Sequence, residues 1–271
     1  MGIVLFDRMP RGIALTAKGR EVYRYACRIV NDSRMLEEMS RKNVARYLRI
    51  SLNPSSWFTN QFVEFYKKNY EKDYHFEIYT AGVRNVMERV RDYLSDIGFV
   101  YVMEQQMKEF QYELSKNRLV FSNMQESVAT FYPGRLNQLY QGNPKTKDNV
   151  SLKELKSQRF IQNYRDEFLE LGDREKKGVF SWEDLDVSVI TNSDYIMEKM
   201  LRETDLSNIS GSYLSEDKKA VNKGIPLEFK KNKIYFGYVR RKNDEPNEMI
   251  DEFLEFLNEK LKMDNENESF K

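Results

Sequence analysis

Polar residues that could bind a small molecule follow three of the predicted strands. Asn53, Ser55 and Ser56 connect one strand to the N-terminus of a helix, where backbone N–H groups and hydroxyls suit an anion. Ligands of open α/β sheets bind outside the carboxyl ends of the strands. The same kind of position in the second half of the chain holds two polar pairs: Gln162 with Asn163, and Asn192 with Ser193. If these three strand ends face one cleft, their polar residues form one binding site. The serines after the first strand are equally well explained as helix caps.

The sequence contains no set of residues typical of an active site or a metal centre. His75 is the only histidine and Cys27 the only cysteine, which makes a His/Cys zinc site very improbable and leaves no nucleophile with a base beside it. No phosphate-binding loop, dinucleotide-binding glycine motif or nucleophile elbow occurs. We therefore predict that the chain is not an enzyme and uses no metal and no cofactor.

The composition is that of a folded protein with one basic end. The chain has 271 residues, of which 40% are hydrophobic and 13% aromatic, and this excludes a disordered chain. No apolar run is long enough for a membrane-spanning helix, and one cysteine is typical of a reducing compartment, so we expect a cytoplasmic protein without a membrane partner. Residues 1–49 hold 11 Lys and Arg against 5 Asp and Glu. This excess of positive charge is explained equally well by a nucleic-acid contact and by a basic face exposed to solvent.

The first 43 residues predict a short hairpin followed by one long helix. A Pro-x-Gly turn at residues 10–12 lies between apolar residues, and Thr16 can cap a helix that begins after it. The apolar or small residues of this helix recur at heptad-like spacing, which favours pairing with a second copy over packing on the rest of the chain. The predicted dimerisation residues are Val22, Ala26, Ile29 and Leu36.

Strands and helices alternate in the remaining sequence. Strands at 47–52, 75–80 and 97–102 with helices at 56–70 and 83–94 predict a βαβαβ unit with parallel strands, followed by short strands at 110–114 and 118–122. A second cycle has strands at 128–132, 160–162, 187–191 and 234–240, with helices at 194–203 and 247–262. Two units of similar size predict a bilobed body with a cleft. We assign residues 47–122 plus 236–263 to lobe 1, 123–235 to lobe 2 and 264–271 to a flexible tail.

The N-terminal sequence resembles the wing of LysR-type transcriptional regulators. That family has a Leu-Phe-x-Arg, Arg-Gly, Leu-Thr-x-x-Gly pattern at the end of its winged helix-turn-helix domain. The residues that match it in order and spacing are Leu5, Phe6, Arg8, Arg11, Gly12, Leu15, Thr16 and Gly19. The resemblance implies a wing at residues 1–15 with Arg8 and Arg11 on DNA, a dimerising linker helix at 16–43, and a periplasmic-binding-protein-like (type 2) α/β effector domain.

The resemblance also implies a function and partners. The chain would be a DNA-binding transcriptional regulator whose effector domain binds a small metabolite, with an anion among the candidates. Its partners would be promoter DNA, the effector and further copies of itself, as a dimer or tetramer. Because the family's recognition helix precedes the wing, we expect this sequence to be truncated within the winged helix-turn-helix and to lack that helix. The alternative is a stand-alone small-molecule-binding or sensor protein with no DNA function.

Overall fold

A computed structural model describes residues 2–10, 12–40, 46–141, 150–163, 185–211, 224–227 and 232–269. Strands β1 (Phe6–Met9) and β2 (Gly12–Leu15) form an antiparallel hairpin. The hydroxyl of Thr16 accepts a 2.8 Å hydrogen bond from the N–H of Gly19, so Thr16 caps the helix that follows. That helix is α1 (Ala17–Ser40). The predicted hairpin, cap and long helix are confirmed.

The first half of the body has the predicted βαβαβ order. Strand β3 pairs in parallel with β4 on one side and with β5 on the other. Helix α2 packs on one face of this sheet, where Phe58 and Phe65 are almost completely buried, and α3 packs on the opposite face. The element bounds are β3 (Arg46–Leu52), α2 (Ser56–Lys68), β4 (Tyr74–Thr80), α3 (Val83–Arg91) and β5 (Ile97–Met103).

One predicted strand is wrong, and two others belong to a single longer strand. Residues predicted as a strand at 110–114 lie in helix α4 (Met107–Lys116), because only Phe110 and Leu114, one helical turn apart, are buried. Tyr112 between them is exposed, so the apolar alternation in the sequence does not correspond to a buried strand face. The strands predicted at 118–122 and 128–132 are parts of one long strand, β6 (Leu119–Tyr132).

Strands β6 and β11 (Lys233–Arg241) connect the two halves of the body. They pair antiparallel along their length, and their register shifts between Phe236 and Gly237. A side chain at position 237 would place Cβ 2.2 Å from the Ser122 carbonyl oxygen, so this close approach requires glycine. The predicted lobe boundaries at 122/123 and 235/236 fall at this irregularity, inside both strands.

The remaining elements build the second half and close the molecule. The main sheet has the order β10-β6-β11-β5-β3-β4, with β9 also paired to β6, and β7 and β8 form a separate parallel pair. Helix α8 packs its apolar face on the α2 side and continues to Ser269, past the start of the predicted flexible tail at residue 264. The bounds are α5 (Gln138–Gln141), α6 (Leu152–Leu155), β7 (Arg159–Gln162), β8 (Asp186–Ile190), α7 (Asp194–Glu203), β9 (Asn208–Gly211), β10 (Ile225–Pro226) and α8 (Glu248–Ser269).

Candidate functional site

A cavity of about 480 Å³ lies where the N-termini of α2 and α7 meet. Residues from β3, α2 and β4 form one wall, and three consecutive residues at the start of α7 form the other. This volume suits a small organic molecule. The residues that line the cavity are Leu52, Pro54, Ser55, Phe58, Thr59, Phe62, Ile78, Thr80, Asn192, Ser193 and Asp194.

Ser55 lines this cavity, and its hydroxyl has two partners within the protein. The N–H of Phe58 donates to Ser55 Oγ at 3.2 Å, so Ser55 is the N-cap of α2. The hydroxyls of Ser55 and Tyr101 share a hydrogen bond of 2.8 Å, and Ser55 is only 5% exposed. Ser56, the next residue, is exposed and is not among the lining residues. The structure shows that Ser55 caps α2, and its place in the cavity lining is compatible with the predicted binding role.

Asn53 is not among the lining residues and instead connects three strand ends. Its side-chain amide donates to the Ala81 carbonyl at 2.9 Å and accepts from the N–H of Tyr101 at 2.8 Å. Its own N–H donates to the Phe99 carbonyl. All of these bonds hold the loop between β3 and α2 against β5 and the end of β4, so Asn53 positions the cavity wall.

The second wall contains Asn192 and Ser193, as predicted, together with Asp194. Ser193 caps α7 by accepting a 3.4 Å hydrogen bond from the N–H of Ile196. Asp194, which our sequence analysis did not select, is half-buried and begins the helix. Burial, and to a lesser degree the charge of Glu198, raise the pKa of the Asp194 carboxyl to about 6. The sequence feature that could have identified Asp194 is its position directly after the polar pair Asn192 and Ser193.

Gln162 and Asn163, the other predicted pair, are not among the cavity-lining residues. The side chain of Gln162 accepts a 3.1 Å hydrogen bond from the amide of Asn208, so it belongs to the packing between β7 and β9. Within the part of the chain that the structure describes, Gln162 Nε2 and Asn163 Oδ1 are buried without a hydrogen-bond partner. The structure thus brings together two of the three predicted strand ends.

The residues predicted to contact DNA and a second copy lie on the N-terminal hairpin and α1. Arg8 is exposed on β1, whereas Arg11 lies outside the described residues. The body does not cover the predicted seam: all four of its side chains are exposed, Ile29 and Leu36 each to 67%. Helix α1 does meet the body, because the guanidinium of Arg28 lies 5.4 Å from the ring centroid of Tyr93.

His75 packs against an aromatic ring and lies beside a carboxylate, and Cys27 lies on α1. The His75 ring stacks on Tyr47 with centroids 4.8 Å apart, and Nε2 lies 3.3 Å from the Asp73 carboxylate. Cys27 is a half-buried free thiol on α1. Across the described residues, no three His, Cys, Asp or Glu side chains are placed so that they could hold a metal ion. The described helices include none that is long and apolar enough to cross a membrane.

Comparison with known proteins gives structural matches only. No protein-family model and no curated protein matches the sequence. Among solved structures, oxidized OxyR of Corynebacterium glutamicum matches at 11% identity and a TM-score of 0.51, over 97% of this chain and 79% of that one. Full-length BenM matches at 17% identity and a TM-score of 0.51, over 94% and 81%. The effector-binding domain of QuiR in complex with shikimate matches at 11% and 0.52, over 78% and 94%.

These similar structures are LysR-type regulators, and two of the matches extend over nearly the whole of this chain. The match to an isolated effector-binding domain covers almost all of that domain, which has a periplasmic-binding-protein-like fold. At these identities the likeness concerns the fold. The chain therefore has the fold of the LysR-type regulator structures, and its body has the periplasmic-binding-protein-like fold that the N-terminal resemblance implies.

Proposed function

We propose that this chain is a LysR-type transcriptional regulator whose body binds a small molecule between its lobes. The observation that carries the proposal is the cavity between α2 and α7, in a fold shared with regulators of this type. Each wall includes the N-terminus of a helix, and each wall comes from a different half of the body. A molecule bound there contacts both halves at once, so its binding energy favours one relative arrangement of them.

Movement between the halves would act through β6 and β11. These two strands are shared by both halves, and their pairing is interrupted at Gly237. A hinge formed by a few residues within such strands lets one lobe rotate while its core stays packed. Helix α1 contacts the body at Tyr93, so a change in the first lobe can alter how two α1 helices, and the hairpins before them, are spaced.

We infer that α1 joins two copies of the chain. Its exposed apolar seam is the kind of surface that a second identical helix covers in a symmetric dimer. We expect Ile29→Glu to shift the protein to a monomer in sedimentation-velocity analysis. The matched control is Arg24→Glu, on the opposite side of the same helix, which should leave the dimer intact. A monomeric parent protein, or equal effects of both substitutions, would contradict this role; association beyond a dimer would indicate the tetramer.

The DNA-binding part of the proposal rests on the exposed hairpin and the basic residues around it. Arg8 and Arg11 would contact phosphates or the minor groove, and such contacts make binding strongly salt-dependent. Major-groove recognition in this family uses a helix that precedes the wing. The test therefore needs both this chain and a form that includes any coding sequence found in frame before Met1.

The experiment is a DNA shift assay with the region beside the gene, over a range of salt concentrations. We expect the extended form to bind one sequence specifically, with affinity that falls as salt rises. Replacement of both Arg8 and Arg11 by alanine should weaken binding to all sequences by similar factors. If neither form binds DNA specifically, the proposal fails and the stand-alone sensor, which the same cavity supports, becomes the better explanation.

A further inference from the structure

We propose that the molecule bound in the interlobe cavity carries a protonated amine that pairs with Asp194. The inference deepens the proposed function, because it assigns a chemical class to the effector of the same site. Asp194 is the only charged residue among those described around the cavity. Among the described residues, the influences on its carboxyl are burial and the charge of Glu198, and neither an ion pair nor a side-chain hydrogen bond is among them.

The charge on this wall argues against a simple anion as the occupant. Neither Lys nor Arg contributes to the described lining, so an anion would meet a carboxylate without a compensating cation. A desolvated carboxylate is unfavourable when it is unpaired, and an ammonium group placed beside it restores the lost interactions. A second, acidic group on the same molecule would meet the N-terminus of α2 on the opposite wall, which suits negative charge. The amine is thus required, and a carboxylate is compatible.

The remaining lining defines the body of the molecule. Phe58, Phe62 and Ile78 present apolar surface, and Thr59 and Thr80 add hydroxyls that can position a polar substituent. A compact aliphatic or aromatic skeleton fills such a space better than a polyol does. The structure therefore favours small apolar primary amines, including amino acids with apolar side chains.

The surroundings of Asp194 also predict how this binding depends on pH. Glu198, one turn along α7, is the charged group close enough to raise the pKa of Asp194. The neighbouring β7 carries a single charged residue, Arg159, which is paired with Asp205 at 2.8 Å. The described lining contributed by α2 and β4 is uncharged. We expect amine affinity to be highest above pH 7 and to fall as pH decreases through about 6, where Asp194 takes up a proton.

The experiment compares four probes of similar carbon skeleton: isopentylamine, L-leucine, 4-methylpentanoate and isopentyl alcohol. Binding is measured by calorimetry at pH 8 with the full chain and two variants. Asp194→Asn removes the proposed partner of the amine. Glu198→Gln removes a carboxylate from the same helix, where it is exposed and paired with Arg202, and is the matched control.

We expect the two amine-bearing probes to bind the parent protein, and Asp194→Asn to weaken them about tenfold or more, as the loss of a charged hydrogen-bond partner would. Glu198→Gln should leave their affinity within about twofold of the parent value. Binding by the carboxylate or alcohol alone, or amine binding that Asp194→Asn does not change, would overturn the inference and leave the regulator proposal standing. If no probe binds, the inference is overturned, and the DNA assay then decides the proposed function separately.

Discussion

The helices α2 and α7 begin at the same cavity with the same residue type, and they differ in how that residue is held. Ser55, before α2, is 5% exposed and bonded to both Phe58 and Tyr101. Ser193, before α7, is half-buried and makes one long bond, of 3.4 Å, to its own helix. On the first side the hydrogen-bonding groups are used within the protein. On the second side a carboxylate, that of Asp194, is left facing the cavity.

The same contrast extends to the residues behind each wall. The first half is tied together by Asn53 and by the pair formed by Arg49 and Asp96, all shielded from water to a large degree. In the second half, the ion pair that corresponds to Arg49 and Asp96 is that of Arg159 and Asp205, and it is exposed. The first wall is therefore held by hydrogen bonds within its own half, whereas the second wall contributes the carboxylate on which our inference about the ligand depends. Three pairs of substitutions and one single substitution test this difference.

The largest effect is expected from the two ion pairs. Asp96 accepts from the backbone N–H of Arg49 at 2.8 Å and from its guanidinium at 2.5 Å, with 17% of its side chain exposed. We expect Asp96→Ala to lower the free energy of unfolding by about 3 kcal/mol, because Arg49 is left without its partner. Asp205→Ala removes a pair that is about half exposed and should change stability within experimental error. Urea denaturation measures both, and equal losses would contradict the contrast.

Next comes the comparison of Asn53 with Gln162. Asn53→Ala leaves the Ala81 carbonyl and the Tyr101 N–H without their partner, which should cost about 2 kcal/mol of unfolding free energy. Gln162→Ala removes one acceptor from Asn208, which keeps its bond to the Ile161 carbonyl at 3.0 Å. We expect a loss of about 1 kcal/mol or less for Gln162→Ala. A larger loss for Gln162 than for Asn53 in thermal or urea unfolding would disprove the ranking.

The two capping serines should differ in the same direction. Ser55→Ala removes a cap and the partner of the Tyr101 hydroxyl, for an expected loss of about 1.5 kcal/mol. Ser193→Ala removes a single long cap bond and should cost about 0.5 kcal/mol. Threonine at each position keeps the hydroxyl and serves as the control. If both alanine variants lose the same stability, the bond to Tyr101 contributes nothing measurable.

The last prediction has the opposite sign and concerns Asp194. Its pKa of about 6 in the folded chain exceeds the ordinary 3.8, so folding binds protons, and stability decreases as pH rises from about 4 to 6. Asp194→Asn removes this penalty, and after allowance for partial exposure we expect a gain of about 1 kcal/mol at pH 8. At pH 4 or below the variant and the parent should unfold at the same urea concentration. A destabilised variant at pH 8 would mean that Asp194 already has a stabilising partner.

Much of the fold could be predicted from the sequence because it depends on local patterns. Thr16 caps α1 as expected, and the alternation of apolar strands with amphipathic helices gives the parallel β4-β3-β5 arrangement. The pattern failed at 110–114, where Phe110, Tyr112 and Leu114 alternate as they would in a strand. Tertiary packing buries only Phe110 and Leu114, whose spacing of four residues is that of one helical turn, and the segment is therefore a helix. Sequence patterns also do not mark strands β6 and β11 as continuous between the halves.

For the candidate site, local sequence patterns are enough to predict that polar residues follow the strands and that serines cap α2 and α7. Which of these residues meet was decided by the tertiary structure, since the distance between strand ends depends on sheet order and on the crossing strands β6 and β11. The structure places Ser55, Asn192 and Ser193 around one cavity, leaves Gln162 and Asn163 out of its lining, and uses Asn53 as a brace. It also gives Asp194 its perturbed carboxyl, because burial is a property of the assembled fold and not of the residues in order.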